Sequence, residues 1–198
     1  MNRPVTIDPR LHDAVIFDLD GVVTDTASIH FAAWTEMFDD FLRRRPASDG
    51  EDHSPFTEAD YQHFVDGKPR YDGVADFLAS RGIELPRGRA SDTGDDTVCG
   101  LGNRKQANFL ARLRDGVPVF ETTVLLVRKL AQAGVATAIY TSSRNCEQIL
   151  REAGLSDLFA VRVDGVVADE LGLPGKPDPA VLLESVRRLD VTPQRCVV

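Results

Sequence analysis

The chain has 198 residues, enough for one hydrophobic core and a small accessory domain. It carries 31 acidic and 23 basic side chains, and the net charge of −8 argues against nucleic acid or an anionic membrane as a partner. Its three cysteines have no metal-binding spacing and indicate free thiols in a reducing compartment. Because this sequence shows neither a signal-peptide pattern nor a membrane-length apolar run, we expect a cytoplasmic protein, and a monomer.

The predicted elements change in character along the chain. A short strand at residues 14–17 is followed by helical patterns alone, which begin near residue 26 and recur at residues 58–64, 71–80 and 103–113. Strands and helices then alternate, with strands at 135–140, 161–163 and from 196, and helices at 122–133, 145–153 and 179–189. This order predicts an α/β fold in which a doubly wound, Rossmann-like parallel sheet (residues 1–25 and 115–198) is interrupted by an all-helical insertion (26–114).

The most informative motif follows the first strand. In Phe17-Asp18-Leu19-Asp20-Gly21, an apolar run ends in two aspartates, which the interior of a buried strand rejects. We therefore expect both carboxylates at the carboxyl end of the strand, where open α/β sheets bind ligands. Paired oxygen ligands suit Mg²⁺, and they indicate phosphoryl transfer with Asp18 as nucleophile and Asp20 as acid and base. A turn that the two carboxylates merely cap is the alternative.

Two further stretches have the composition of a phosphate site. Thr141-Ser142-Ser143-Arg144-Asn145 follows a predicted strand and opens a helix, so its hydroxyl and backbone N–H groups can bind phosphate. A helix cap is the commoner use of such a run. Lys176 lies in the loop Gly175-Lys176-Pro177-Asp178-Pro179, whose prolines suit a fixed positive charge, although a lysine in a turn is usually only solvated.

Together these motifs resemble the haloacid dehalogenase superfamily over essentially the whole chain. The resemblance rests on D-x-D-G at residues 18–21, on the strand-end Thr141, and on Lys176 in K-P-x-P. It implies that Asp18 and Asp20 are catalytic and hold Mg²⁺, and that the insertion is a helical cap. It also implies that Lys176 and Mg²⁺ neutralise the transferring phosphoryl group, while Thr141 donates a hydrogen bond to it.

Within the superfamily, the stretch from Phe17 to Trp34 is most similar to the β-phosphoglucomutases and related phosphosugar phosphatases, including actinobacterial ones. Arg70, three residues after Gly67, lies where those caps present an arginine to the distal phosphate. Asp66 stands where the mutases carry a basic residue, which leaves the sugar open. The substrate-binding residues that the resemblance implies are His30, Trp34, Gly67, Arg70 and Lys105 in the cap, and Ser143, Arg144 and Asn145 in the core.

The function implied by the resemblance is conversion of β-glucose 1-phosphate to glucose 6-phosphate through an aspartyl phosphate, with a small sugar phosphate as partner and Mg²⁺ as cofactor. Two alternatives stay open: a phosphatase for a sugar phosphate such as trehalose phosphate, and a catalytically weak sugar-phosphate-binding domain. Mutase and phosphatase differ in whether a sugar hydroxyl or water accepts the phosphoryl group. Exclusion of water by the cap is expected to decide between them.

A last expectation concerns the metal site. In the superfamily, a fourth motif with two acidic residues follows the strand that begins here at Cys196, and one of its carboxylates holds Mg²⁺. The sequence given ends at Val198, before that motif, so we expect the C-terminal part of the core to be missing. We also expect a weakened Mg²⁺ site, and a higher Mg²⁺ affinity when those carboxylates are added.

Overall fold

The computed structural model describes residues 7–46, 48–66 and 68–198. The described chain divides into two compact units. The sheet unit contains the residues up to Thr26 together with Gly116–Val198, and the helical unit is Ala27–Asp115. Among the helices that the structure describes, none is both long and apolar enough to cross a lipid bilayer.

A four-stranded parallel sheet organises the sheet unit. Its strands, in the spatial order β3-β2-β1-β4, are β1 (Ala14–Asp18), β2 (Ala136–Tyr140), β3 (Val161–Val163) and β4 (Cys196–Val197). The register pairs Phe17 with Ile139 and Asp18 with Tyr140, so the chain leaves β1 and β2 at the same edge of the sheet. The apolar residues of β1 are buried, as expected of a central parallel strand. The predicted α/β fold class is therefore confirmed.

The described residues of the helical unit form the helices α1 (Thr26–Arg44), α2 (Glu58–Asp60, continued by the π-helical turn Tyr61–Val65), α3 (Arg70–Ser80) and α4 (Val98–Arg114). The aromatic side chains Trp34, Phe38 and Phe41 of α1 are buried in one core, as their helical spacing predicts. α4 begins at Val98 rather than at residue 103. Thr97 caps this helix by accepting a hydrogen bond from the Gly100 N–H. The glycines in the first turns of α4 have low helix propensity, so the sequence did not predict that the helix begins there.

The sheet unit also contains four helices, α5 (Glu121–Gln132), α6 (Cys146–Glu152), α7 (Gly165–Leu171) and α8 (Ala180–Leu189), and the 3₁₀ turn Pro193–Arg195. α7 was not predicted from the sequence. Asp164 caps α7 by accepting hydrogen bonds from two backbone N–H groups, and Asp169 lies within that helix. The segment has weak helix propensity, and packing of Ala168 against buried neighbours stabilises it instead.

Candidate active site

Asp18 ends β1 with a half-buried carboxylate that contacts a lysine. Its Oδ1 accepts a hydrogen bond from the Leu19 N–H at 2.9 Å and lies 2.8 Å from Lys176 Nζ. The same Nζ lies 4.2 Å from the ring centroid of Tyr140, the β2 residue paired with Asp18 in the sheet. The strand register therefore places an aromatic ring beside the predicted nucleophile, and the predicted lysine, from its loop, contacts both.

Asp20 lies in a tight turn that requires glycine at the next position. The Leu19 carbonyl accepts hydrogen bonds from the N–H groups of Val23 and Thr24, both at 3.0 Å, and the Gly21 N–H donates to the Thr24 carbonyl at 2.8 Å. Gly21 has a φ of +78°, in the left-handed region that side chains with a Cβ disfavour. This explains the glycine of the D-x-D-G motif: it lets the chain turn directly after the second aspartate.

Two buried threonines donate hydrogen bonds to the carboxylate of Asp20. Thr26 Oγ1 donates to Oδ1, and Thr141 Oγ1 donates to Oδ2 at 3.3 Å. Although Asp20 is exposed as a whole residue, the protein around its carboxyl group excludes water and raises its pKa. The negative charge of Asp18 adds to this rise, and the two threonine hydrogen bonds oppose it. A carboxyl group with a raised pKa is suited to both giving and taking a proton.

Removal of the Thr26 hydroxyl is expected to raise the pKa of Asp20 further. The reason is that the hydrogen bond from Thr26 stabilises the ionised carboxylate, and valine keeps the buried volume without that bond. The measurement is a ¹³C NMR titration of the Asp20 carboxyl carbon in the wild type and in Thr26→Val. Thr26→Ser, which keeps the hydroxyl, should titrate like the wild type. Equal pKa values for Asp20 in the valine variant and the wild type would contradict the assignment.

The run from Thr141 to Asn145 uses its hydroxyls within the turn that enters α6. The Ser143 N–H donates to Thr141 Oγ1 at 3.0 Å, and the Asn145 N–H donates to Ser143 Oγ at 3.2 Å. These bonds lie in the turn before α6 and are not a helix cap, because the N-cap residue Asn145 makes no side-chain capping hydrogen bond. Arg144 instead forms an ion pair with Asp169, and both side chains are mostly exposed. Because an exposed ion pair contributes little stability, a phosphate group can replace that carboxylate at low cost.

In the helical unit, Arg70 lies at the start of α3 among polar side chains of α4. Its Nη1 donates to Gln106 Oε1 at 3.0 Å, and its Nη2 donates to Asn103 Oδ1 at 3.2 Å and to the hydroxyl of Tyr71 at 3.1 Å. These acceptors are all neutral. These hydrogen bonds orient the guanidinium group but do not neutralise its charge. An arginine held in this way is suited to binding an anion.

His30 and Lys105 form a second polar pair in the helical unit. Lys105 Nζ lies within hydrogen-bond distance of His30 Nδ1, at 2.7 Å, and the His30 ring stacks on Phe109 with 4.1 Å between ring centroids. Burial, together with the nearby charge of Arg70, lowers the pKa of Lys105 to about 7. Burial, with the charge of Lys105, also lowers the pKa of His30 to about 3, so the imidazole is neutral at physiological pH.

Among the predicted substrate-binding residues, Trp34 lies in a hydrophobic core. Trp34 is 4% exposed, stacks on Phe38 in the core of the helical unit, and has Lys105 Nζ 4.9 Å from its ring centroid. It therefore acts as a core residue that packs against the buried lysine. Gly67 lies outside the described residues.

Replacement of Lys105 by methionine is expected to change how stability depends on pH. The folded pKa of about 7 lies below the unfolded value of about 10.4, so the unfolded chain binds more protons across that window. Stability from this group is therefore fully present above the window and is lost as the pH falls through it. We expect the wild-type free energy of unfolding to rise by a few kcal/mol, roughly 2–4, from pH 7 to 10 relative to Lys105→Met, measured by urea unfolding.

The exposed Lys129 of α5 provides the control for that experiment. Lys129→Met should leave the pH dependence of the wild type unchanged, because methionine there replaces a hydrated side chain. Parallel unfolding curves for the wild type and Lys105→Met across this pH range would show that Lys105 keeps an ordinary pKa.

The carboxylates at the end of β1 are candidate ligands for Mg²⁺, the cofactor that the resemblance implies. Within the part of the chain that the structure describes, no group of three or more His, Cys, Asp or Glu side chains is arranged to hold a metal ion. Protein sites for Mg²⁺ commonly use only one or two carboxylates and complete the shell with water and substrate phosphate. Asp18 and Asp20, which are close enough for the charge of one to raise the pKa of the other, have this donor type.

Several residues that contact the predicted site residues were not identified from the sequence. Thr26 was not among the predicted site residues, yet its hydroxyl donates to the carboxylate of Asp20, six positions earlier in the chain. Its place in the first turn of α1, soon after the D-x-D-G motif, is the signal that could have revealed this. Tyr140, Tyr71 and Asn103 carried no signal, because their roles depend on strand register or on the packing of α3 against α4.

Comparisons with known proteins agree with this architecture. A family model for haloacid dehalogenase-like hydrolases matches residues 12–198. An uncharacterised glycosyl hydrolase of Mycobacterium tuberculosis is 52% identical over 195 residues, which are 98% of this chain but 14% of that protein's length. β-Phosphoglucomutase of Mycobacterium bovis is 45% identical over 193 residues, 96% of this chain and 74% of that protein. The crystal structure of β-phosphoglucomutase from Clostridium difficile has a TM-score of 0.65 at 21% identity, covering 93% of this chain and 74% of that one.

The parallel sheet, with Asp18, Asp20, Thr141 and Lys176 where its strands end, defines an α/β protein of the Rossmann-like class. The match of the family model to nearly the whole chain then decides the family. The chain belongs to the haloacid dehalogenase-like hydrolases, and the resemblance to the β-phosphoglucomutases is confirmed.

Proposed function

We propose that this chain is a Mg²⁺-dependent phosphosugar phosphotransferase that converts β-glucose 1-phosphate to glucose 6-phosphate through an aspartyl phosphate. The observation that carries the proposal is the arrangement at the end of β1: Asp18 contacts Lys176, and Asp20 accepts hydrogen bonds from two buried threonines. The 45% identity to a β-phosphoglucomutase supports the choice of substrate.

The proposed reaction has two phosphoryl transfers. A carboxylate oxygen of Asp18 forms a bond to phosphorus while the bond from phosphorus to the leaving sugar oxygen breaks. Asp20, whose raised pKa favours its protonated form, gives its proton to that oxygen. In the second transfer, Asp20 takes the proton of the hydroxyl group that attacks the phosphoaspartate, and Asp18 is released as a carboxylate.

Lys176 supplies fixed positive charge for both transfers. Its ammonium group lies 2.8 Å from the attacking carboxylate and is oriented by the Tyr140 ring, so it can balance the charge that develops on the phosphoryl oxygens. Thr141, which donates to Asp20 in this structure, keeps that side chain in place. Asp18 and Asp20 would hold Mg²⁺, which when bound adds further positive charge at the phosphoryl group.

Phosphate-binding residues are proposed within each unit separately. In the helical unit, Arg70 is the proposed anion-binding residue because its recorded hydrogen bonds all go to neutral side chains. Lys105 and Trp34, each 4% exposed, are too buried for direct contact with a sugar in this conformation. In the sheet unit, Arg144 is the proposed second phosphate contact, together with Ser143 and Asn145.

The proposal is tested by ³¹P NMR of the chain with β-glucose 1-phosphate, Mg²⁺ and a trace of glucose 1,6-bisphosphate. Appearance of glucose 6-phosphate is the expected result. Inorganic phosphate instead would mean that water is the acceptor and that the chain is a phosphatase, with the same roles for Asp18 and Asp20. No product would contradict turnover of this sugar phosphate and favour a binding role or a different phosphosugar.

A further inference from the structure

The bonds of Arg70 differ from those of most arginines in the helical unit. Many of those pair with carboxylates, as in Arg81 with Asp60, Arg104 with Asp95 and Arg112 with Glu36. Arg70 contacts three neutral side chains, and its guanidinium carbon lies 4.9 Å from the ring centroid of Tyr71. Its Nε is buried and has no hydrogen-bond partner among the described residues. The positive charge is therefore held in place but not compensated by these contacts.

Asn103 is the residue on which this arrangement depends. Its Oδ1 accepts from Arg70 Nη2 at 3.2 Å and from the Tyr71 hydroxyl at 2.9 Å. Its Nδ2 donates to the carbonyl oxygens of Ala90 at 2.8 Å and Asp92 at 2.9 Å. All four hydrogen bonds of the amide are made, and an exchange of its oxygen and nitrogen would oppose like groups at Arg70 and at both carbonyls. The amide thus ties Arg70 to the loop before α4 in one orientation.

The space around Tyr71 is equally restricted. A Cβ on Gly102 would lie 2.7 Å from Cδ1 of the Tyr71 ring, and 3.4 Å from Cγ of Arg70. Only glycine at position 102 lets the ring lie against α4, where its hydroxyl reaches Asn103 and Arg70. Packing against Gly102 and the hydrogen bonds of its hydroxyl group therefore both fix the position of Tyr71.

We propose that Asn103 is a positioning residue that holds Arg70, with Tyr71, in the orientation that binds a phosphate group of the substrate. This inference rests on the proposed function for its ligand class. Neutrality of Asn103 is the essential property. An aspartate at this position would place a carboxylate oxygen against Arg70 Nη2 and form an internal ion pair, which competes with an anionic ligand.

The test compares two phosphoryl donors for Asp18. Glucose 1,6-bisphosphate carries a second phosphate, whereas acetyl phosphate does not, and phosphorylation of Asp18 is followed by intact-protein mass spectrometry. For Asn103→Asp we expect the bisphosphate concentration at half-maximal rate to rise by about 10- to 100-fold, as when a charge-assisted hydrogen bond is lost, with the maximal rate unchanged. The rate with acetyl phosphate should not change. Tyr71→Phe, which keeps the ring, should show a smaller rise.

The control is Arg87→Gln, which removes a mostly exposed cation paired with Asp72 in the same unit and should affect neither donor. Equal losses with both donors in Asn103→Asp would mean general damage to the fold and would overturn the proposal. An unchanged response to the bisphosphate would overturn it as well.

A second measurement does not depend on turnover. The Nε–H signal of Arg70, assigned with Arg70→Lys, is followed by ¹⁵N NMR during titration with inorganic pyrophosphate. We expect a saturable shift in the wild type and a strongly weakened one in Asn103→Asp. If neither donor phosphorylates Asp18, the proposed function fails, and this titration still decides the role of Asn103. Equal responses in the two proteins, or none in the wild type, would overturn the proposal.

Discussion

Asp18→Asn is expected to abolish phosphoryl transfer, with a loss on the order of 10⁴-fold or more, as is typical when a covalent nucleophile is removed. An amide oxygen is a poor nucleophile, and the substitution also leaves Lys176 without the carboxylate that lies 2.8 Å from it. The measurement combines initial rates with β-glucose 1-phosphate and intact-protein mass spectrometry. The wild type should gain the mass of one phosphoryl group, and the variant should not.

Asp157→Asn is the matched control for this prediction, because it neutralises an exposed carboxylate of the same unit. It should retain both the rate and the phosphorylated species. A variant at Asp18 that still becomes phosphorylated would place the nucleophile elsewhere, and peptide mapping of the modified residue would then identify it.

Asp20→Asn is expected to slow transfer from a sugar phosphate by about 10²- to 10⁴-fold, the usual contribution of general acid–base catalysis. The sugar oxygen is a poor leaving group without a proton, and asparagine cannot provide one. Transfer from acetyl phosphate should be much less affected, because acetate leaves without protonation. The measurement is the rate of Asp18 phosphorylation by each donor.

The pH dependence separates the proton-transfer role of Asp20 from a purely structural one. Because the pKa of Asp20 is raised, the limb of the pH–rate profile that reports its titration should lie above the ordinary range for aspartate and should disappear in Asp20→Asn. Equal losses with acetyl phosphate and with the sugar phosphate would contradict the acid–base role and indicate damage to the turn at Gly21.

The helix start at α4 and the helix α7 were not predicted for the same physical reason. The start of α4 and the first turn of α7 have glycine or β-branched residues, whose helix propensity is low, so local sequence disfavoured helices that caps and tertiary packing stabilise. The resemblance placed Trp34 among the substrate-binding residues, whereas its helical spacing with Phe38 and Phe41 indicated the core position that the structure shows. Resemblance along the chain carries no information about the exposure of one side chain.

The sequence by itself determined the parallel α/β class and the position of the D-x-D-G turn, because both follow from local patterns: an apolar strand, two carboxylates and a glycine that accepts positive φ. The tertiary structure alone decided which groups surround those carboxylates. Thr141 reaches Asp20 across 121 positions of the chain, strand register places Tyr140 beside Asp18 where Lys176 contacts both, and Asn103 reaches Arg70 through helix packing. These contacts join residues that are far apart in sequence, so no local pattern specifies them.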